Sequence, residues 1–155
     1  MKTLSLILWW PVYIVAALVI QQQIPGVDAL APGFLISLQE KKKWQTAWLF
    51  LVFVLIQEGS GSLAFGSSLL WYGGQIALFL LAERLFVADN LLFVIMLSAG
   101  LGAYHGLVIW FMCMVQEAPL EYVFLLQECV LQAILTPLIW GLAAWLRPVT
   151  ALRGD

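Results

Sequence analysis

The stretch Ala29-Leu30-Ala31-Pro32-Gly33-Phe34-Leu35-Ile36-Ser37-Leu38-Gln39-Glu40, followed at once by Lys41-Lys42-Lys43, decides how the rest of the chain is read. It is apolar enough to leave water. As a helix, though, it rises only about 18 Å, against a hydrocarbon core of about 30 Å. On either side lie longer apolar runs, at 3–20, 44–57, 63–82, 90–115 and 122–146. Whether 29–40 traverses a bilayer fixes the side on which every later loop falls.

Charge bears on the question, because cytoplasmic loops near span ends are enriched in Lys and Arg. If 29–40 crosses and the N-terminus lies inside, Lys2, Lys41, Lys42, Lys43, Arg84, Arg147 and Arg153 share the cytoplasmic side. The opposite loops then hold Asp28, Glu58, Glu117 and Glu121. If it does not cross, the best arrangement of five spans puts the N-terminus outside and misplaces Lys2. Six crossings are therefore expected, with both termini cytoplasmic. The second helix is expected to be the least regular, partly extended near Pro32-Gly33 and packed against its neighbours, since irregular backbone at membrane depth needs protein or water over it.

Composition sets the same class. Of 155 residues, 63% are hydrophobic and only 10% charged, where soluble domains carry about 25% charged residues. Such a chain cannot cover a water-facing surface, whereas lipid solvates outward Leu, Ile, Val and Phe. The expected fold is all-α: a polytopic membrane helix bundle of about six transmembrane helices, with residues 1–155 a single domain. The first apolar run, Leu4 to Ile20, lacks a small-residue cleavage site after it and reads as an uncleaved first helix. Trp9, Trp44, Trp48, Trp71, Tyr72, Trp140 and Trp145 fall mostly near span ends, where amphipathic rings favour the headgroup level. No basic stretch is interleaved with aromatics, so nucleic acid is not an expected partner. Cys113 and Cys129 lie inside apolar runs without metal-ligand spacing and read as small buried apolar residues.

Three local patterns carry the functional reading. Glu58-Gly59-Ser60-Gly61-Ser62, with Gly66 beyond, reads as a turn before the fourth helix, either flexible or structured by Glu58 capping that helix or meeting a partner. Ser98, Gly102 and Gly106 form a small-residue stripe suited to close helix packing. His105 and Glu128 are the polar groups deepest within spans. Because ionisable groups in a membrane are usually paired, a His105–Glu128 contact supported by Gln127 or Gln132 is expected, as a structural clasp or a proton or ligand site. Ser60, Ser62 or Ser67 with His105 could suggest a serine hydrolase, but nothing supplies an oxyanion donor or the other parts of such a site. Phosphate loops, paired catalytic carboxylates and Cys/His clusters are missing from the sequence, so neither an enzyme, a metal nor a cofactor is expected. Lys41, Lys42 and Lys43 are expected to hold topology and touch anionic lipid.

Taken together, these features resemble the rod-shape-determining MreD family. Members carry a Pro followed by an apolar segment, then an acidic residue, a small Gly/Ser cluster and a Gly eight positions beyond the acid. Pro32-Gly33-Phe34-Leu35-Ile36 matches the first part and Glu58, Gly61-Ser62 and Gly66 the second, with Glu58 where Asp is usual. The resemblance implies a non-enzymatic scaffold of the bacterial cell-elongation machinery in the inner membrane, binding the membrane-anchored MreC and, through it, peptidoglycan synthases, with no catalytic residue and no small-molecule ligand. That family is similar in fold to substrate-binding subunits of energy-coupling-factor transporters, which supplies an alternative. Helix 1 has Ala16-Ala17 adjacent rather than at the fourfold spacing usual in those subunits. An accessory subunit of a respiratory membrane complex is a third reading.

Overall fold

The computed structural model describes residues 2–60, 65–86 and 90–147, with side chains from Leu8 onward. Among these residues there are six α-helices and no strand: α1 (Lys2–Gln23), α2 (Ala31–Gln39), α3 (Lys43–Ser60), α4 (Ser67–Leu85), α5 (Leu91–Val115) and α6 (Tyr122–Leu146). The start of the fourth helix expected at 63 lies outside the described residues. Glu58-Gly59-Ser60, read from sequence as a turn, is instead the last turn of α3.

The expectation for the second helix needs correcting. Pro32 and Gly33 are not extended; they sit in the first turn of a regular α2. Proline is tolerated there because the first N–H groups of a helix have no intrahelical partner to lose. The irregular backbone lies earlier, from Ile24 to Leu30.

Every residue of α2 from Ala31 to Ser37 is buried. Helices α3, α4 and α6 pack directly on it, and α5 lies between α4 and α6. Helix α1 reaches it through Tyr13, whose hydroxyl donates to the Ala29 carbonyl at 2.7 Å and accepts from the Gly33 N–H at 2.7 Å. A side chain at residue 33 would occupy the space of the Tyr13 ring, so glycine is what allows the two helices this close. Phe34 of α2 meets Phe53 of α3 and Tyr72 of α4, with ring centroids 6.3 and 5.4 Å apart.

Polar contacts show how the chain passes through the bundle. At one end, Trp140 donates to Gln39 at 2.7 Å, Lys41 pairs with Glu83 at 2.6 Å, and Arg147 pairs with Glu40 at 2.6 Å. The Arg147 guanidinium also lies 4.8 Å from the ring centroids of Trp9 and Trp10. That end therefore gathers Trp9 and Trp10 from the N-terminal half of α1, the segment 39–43 and the ends of α4 and α6. Burial lowers the Arg147 guanidinium from its ordinary value, while the Glu40 carboxylate pulls the other way. Gly26 and Asp28, in contrast, meet the far end of α1, the start of α4 and the interior of α5 and α6. Residues 26–40 thus run along the bundle and not back on themselves.

Two helices, α5 and α6, are long and apolar enough to cross a membrane. On α6, Leu126, Val130, Ile134, Leu138 and Leu142 recur every fourth position and all are exposed. A soluble bundle turns such a stripe inward, whereas a membrane helix turns it to lipid.

Candidate functional site

The site begins with a problem of backbone chemistry. Between the Ile24 N–H, which still bonds the Ile20 carbonyl, and the Leu30 carbonyl, which already accepts from Phe34, the chain enters an apolar bundle as irregular backbone, and each buried N–H or C=O needs a partner. Side chains from other helices meet that need. Tyr13 takes the Ala29 carbonyl and the Gly33 N–H, as above. Gln132 of α6 pairs with both backbone groups of Asp28: its Oε1 accepts from the Asp28 N–H at 2.8 Å and its Nε2 donates to the Asp28 carbonyl at 3.2 Å. Thr136, one turn on, accepts from the same Nε2 at 3.1 Å and holds the amide in place.

The Asp28 side chain is the hub. Its Oδ1 accepts from Leu30 N–H at 2.8 Å, Ala31 N–H at 3.3 Å and Gln21 Nε2 at 3.2 Å. Its Oδ2 accepts from Trp71 Nε1 and the Tyr72 hydroxyl, both at 2.7 Å. The residue is only 5% exposed, and Tyr72 and Gln132 are fully buried. A buried carboxylate persists when it is hydrogen-bonded all round, and bonds to a charged acceptor are about twice as strong as neutral ones. Asp28 so joins α1, the start of α2, and α4, while its backbone is held by α6.

Sequence reasoning put Asp28 in an outer loop and read Trp71 and Tyr72 as headgroup anchors; both readings are corrected, since the three form one buried cluster. A local sign was present. Asp28 stands two and three residues before the N–H groups of Leu30 and Ala31, with Pro32 next, a pattern typical of a helix start. Its distant partners left no mark in sequence.

The expected His105–Glu128 contact also needs correcting. Among the described residues the two share no hydrogen bond or ion pair. Both converge on Gly26 instead. His105 Nε2 donates to the Gly26 carbonyl at 3.1 Å, and the Glu128 carboxyl packs against the Gly26 α-carbon. Gln127 is exposed, and Gln132 serves Asp28. The reason is geometric: Gly26 meets both side chains, its carbonyl taking His105 Nε2 and its α-carbon side facing the Glu128 carboxyl.

His105 and Glu128 line a cavity of about 840 Å³, together with Gln21, Asp28, Gln57, Ser60, Ser67 and Trp71. Apolar walls come from Leu18, Ile56, Val108 and Ile109. This is within the range of small-molecule sites. Sequence reasoning anticipated no such cavity, because its lining comes from every helix except α2.

At its rim Glu58 closes the start of α4. Its carboxylate accepts from the Gly66 N–H at 3.1 Å to each oxygen, and Oε1 from the Ser68 N–H at 2.9 Å. These are orphan donors of the first helical turn, which a carboxylate both satisfies and favours through the helix dipole. Gly66 has φ of 97°, a left-handed conformation that glycine adopts freely. Gly59 is exposed at the end of α3; Gly61 and Ser62 lie outside the described residues.

The small-residue stripe on α5 faces α6. A Cβ at Gly102 would meet the Cys129 carbonyl and Ala133, and one at Gly106 the Cys129 sulfur. Ser98 is buried and bonds the Val94 carbonyl at 2.6 Å. That face is used within the bundle and is not open to a partner. Lys41, Lys42 and Lys43 are exposed at the opposite end from the cavity. Among the described residues, no group of His, Cys, Asp and Glu could hold a metal ion.

These features define an all-helical bundle with an aspartate-centred polar core and a cavity at one end. Comparison with protein-family models, with curated proteins and with solved structures finds no match to this chain.

Proposed function

We propose that this chain is a multi-pass bundle with six membrane crossings, both termini cytoplasmic, and that it acts by binding, as a non-enzymatic scaffold of the bacterial cell-elongation machinery. The observation that carries the scaffold reading is the Glu58 clasp. The acidic residue, and the glycine eight positions beyond it, are the elements on which the family resemblance rests. Here they form one unit, a carboxylate holding Gly66 and Ser68 at the start of α4. The unit shapes a rim beside the acidic loops, where a membrane-anchored partner such as MreC would seat. Six crossings are supported by the run of residues 26–40 along the bundle and by the gathering of Lys41, Glu40–Arg147 and Trp9 of the N-terminal half of α1 at one end. The partner surface is not the α5 stripe, because α6 already covers it.

The cavity favours a second reading, a substrate-binding subunit of an energy-coupling-factor type transporter. One experiment separates the two: affinity purification of the full chain from native membranes, with identification of what accompanies it. A bitopic MreC-like protein with peptidoglycan synthases supports the scaffold. An ATPase coupling module replaces it with the transporter reading, and respiratory subunits would sink both.

A further inference from the structure

We propose that the cavity between α1, α3, α4, α5 and α6 is a binding site for a small organic cation, an ammonium group carried on a modest apolar body, with Glu128 as its counter-charge. The inference holds whether the chain is a scaffold or a transport subunit.

The two carboxylates at the site are not equivalent. Asp28 has both oxygens occupied by five donors and is committed to the fold. Glu128 has no hydrogen bond or ion pair among the described residues, yet it lines the cavity and is held against Gly26. An unpaired carboxylate on an apolar helix is costly, and such groups persist in membrane proteins where they meet a partner or a ligand. No Lys or Arg is among the described lining residues. The potential inside is therefore negative, which disfavours anions, phosphates and free carboxylates.

His105 narrows the chemistry further. Because its Nε2 donates to the Gly26 carbonyl, the neutral imidazole carries its proton there and keeps Nδ1 as an acceptor. The site thus offers acceptors to a ligand rich in N–H groups. A metal ion is a poor fit, since hard cations take six or more oxygen ligands and only one carboxylate is uncommitted. Leu18, Ile56, Val108 and Ile109 line the rest of the cavity with hydrocarbon, which suits an apolar body behind the ammonium. A free amine fits better than an aminophospholipid, whose phosphate would find no Lys or Arg among the described lining residues to meet it.

The test uses the full chain in an uncharged maltoside detergent, with phenethylamine and its uncharged isostere phenethyl alcohol as probes in titration calorimetry. The amine is expected to bind about tenfold or more tightly than the alcohol, the effect of one charge-assisted hydrogen bond. Glu128→Gln should erase the difference, and Glu128→Asp should keep it. Glu128→Lys should exclude the amine, by supplying an ammonium from the chain itself. Folding of each variant is checked by its elution profile and melting temperature; if Glu128→Gln fails to fold, the Asp and Lys variants carry the test. Equal affinity for amine and alcohol, or selectivity unchanged in Glu128→Gln or Glu128→Lys, overturns the site. A parallel arm compares phosphatidylglycerol nanodiscs with and without phosphatidylethanolamine. Selective retention of phosphatidylethanolamine, released by Glu128→Gln, would assign the ammonium to a lipid headgroup and overturn the free amine as its source.

Discussion

Replacing Asp28 tests the central physical claim, that one carboxylate holds the non-helical entry to α2. In Asp28→Ala, the Leu30 N–H, Trp71 Nε1 and Tyr72 hydroxyl lose their acceptor in a buried site. Each buried donor left unsatisfied costs about 1–3 kcal/mol, so the loss is about 3–9 kcal/mol. Total stability of a folded domain is about 5–15 kcal/mol, so the Ala variant should fold poorly or not at all. Asp28→Asn is milder and more informative. Its Oδ1 can still accept from Leu30 and Ala31, and the Tyr72 hydroxyl can turn to accept from the new amide. Trp71 Nε1 cannot, because an indole only donates. One charge-assisted bond is lost and one donor stranded, about 2–4 kcal/mol, or a melting temperature lower by about 5–15 °C for a chain of this size. Thermal unfolding in detergent, followed by intrinsic fluorescence and by size-exclusion elution, reads both variants. Trp71→Phe removes the stranded donor, so in the Asp28→Asn background it should cost less than in the wild type. Additive losses in that double-mutant cycle, or an Asn variant as stable as wild type, would refute the hub.

Three other outcomes follow from the packing. Gly33→Ala drives a methyl into the Tyr13 ring and should destabilise by about 1–3 kcal/mol, read as a lower melting temperature. Arg147→Gln leaves the buried Glu40 carboxylate without its cation and should cost about 3–5 kcal/mol; the double variant with Glu40→Gln should recover most of it in the same assay. With Cys113 and Cys129 replaced by Ala, single cysteines at Lys2 and Lys42 should label with impermeant maleimide only after the cytosolic face is opened, and one at Glu117 in intact spheroplasts. Opposite accessibility of Lys2 and Lys42 would overturn six crossings.

The long helices were legible because their signal is local. Residues 122–146 were read with the observed bounds of α6, and 90–115 fell within one residue of α5. Both are long, predominantly apolar runs, and Asn90 accepts from the Leu92 N–H as a helix cap. The second helix was legible as short and covered, but not as regular: Pro32 was read as a break where its position in the first turn makes it a start. The cluster around Asp28 was out of reach because its contacts are long-range, Trp71 lying 43 residues away and Gln132 lying 104. His105 and Glu128 were singled out as the polar groups deepest within spans, and the rule that such groups pair pointed to a direct contact because it could not show Gly26 meeting both.

That segment explains why a chain so apolar keeps so particular a polar core. Helix α2 spans about 14 Å at 1.5 Å per residue, so in the proposed six-crossing arrangement the remaining distance is covered by chain that is not helical. Non-helical backbone inside hydrocarbon leaves several groups unsatisfied, at several kcal/mol each. Lengthening α2 would remove the difficulty but also fill the space between α1, α4, α5 and α6. With residues 24–30 irregular, Tyr13, Gln132 and Asp28 supply the missing partners, and Gly26 meets both His105 and Glu128. The brevity of α2 and the cavity above it are then one feature: the bundle satisfies its shortest helix with polar side chains, and the room this leaves is where a ligand can enter.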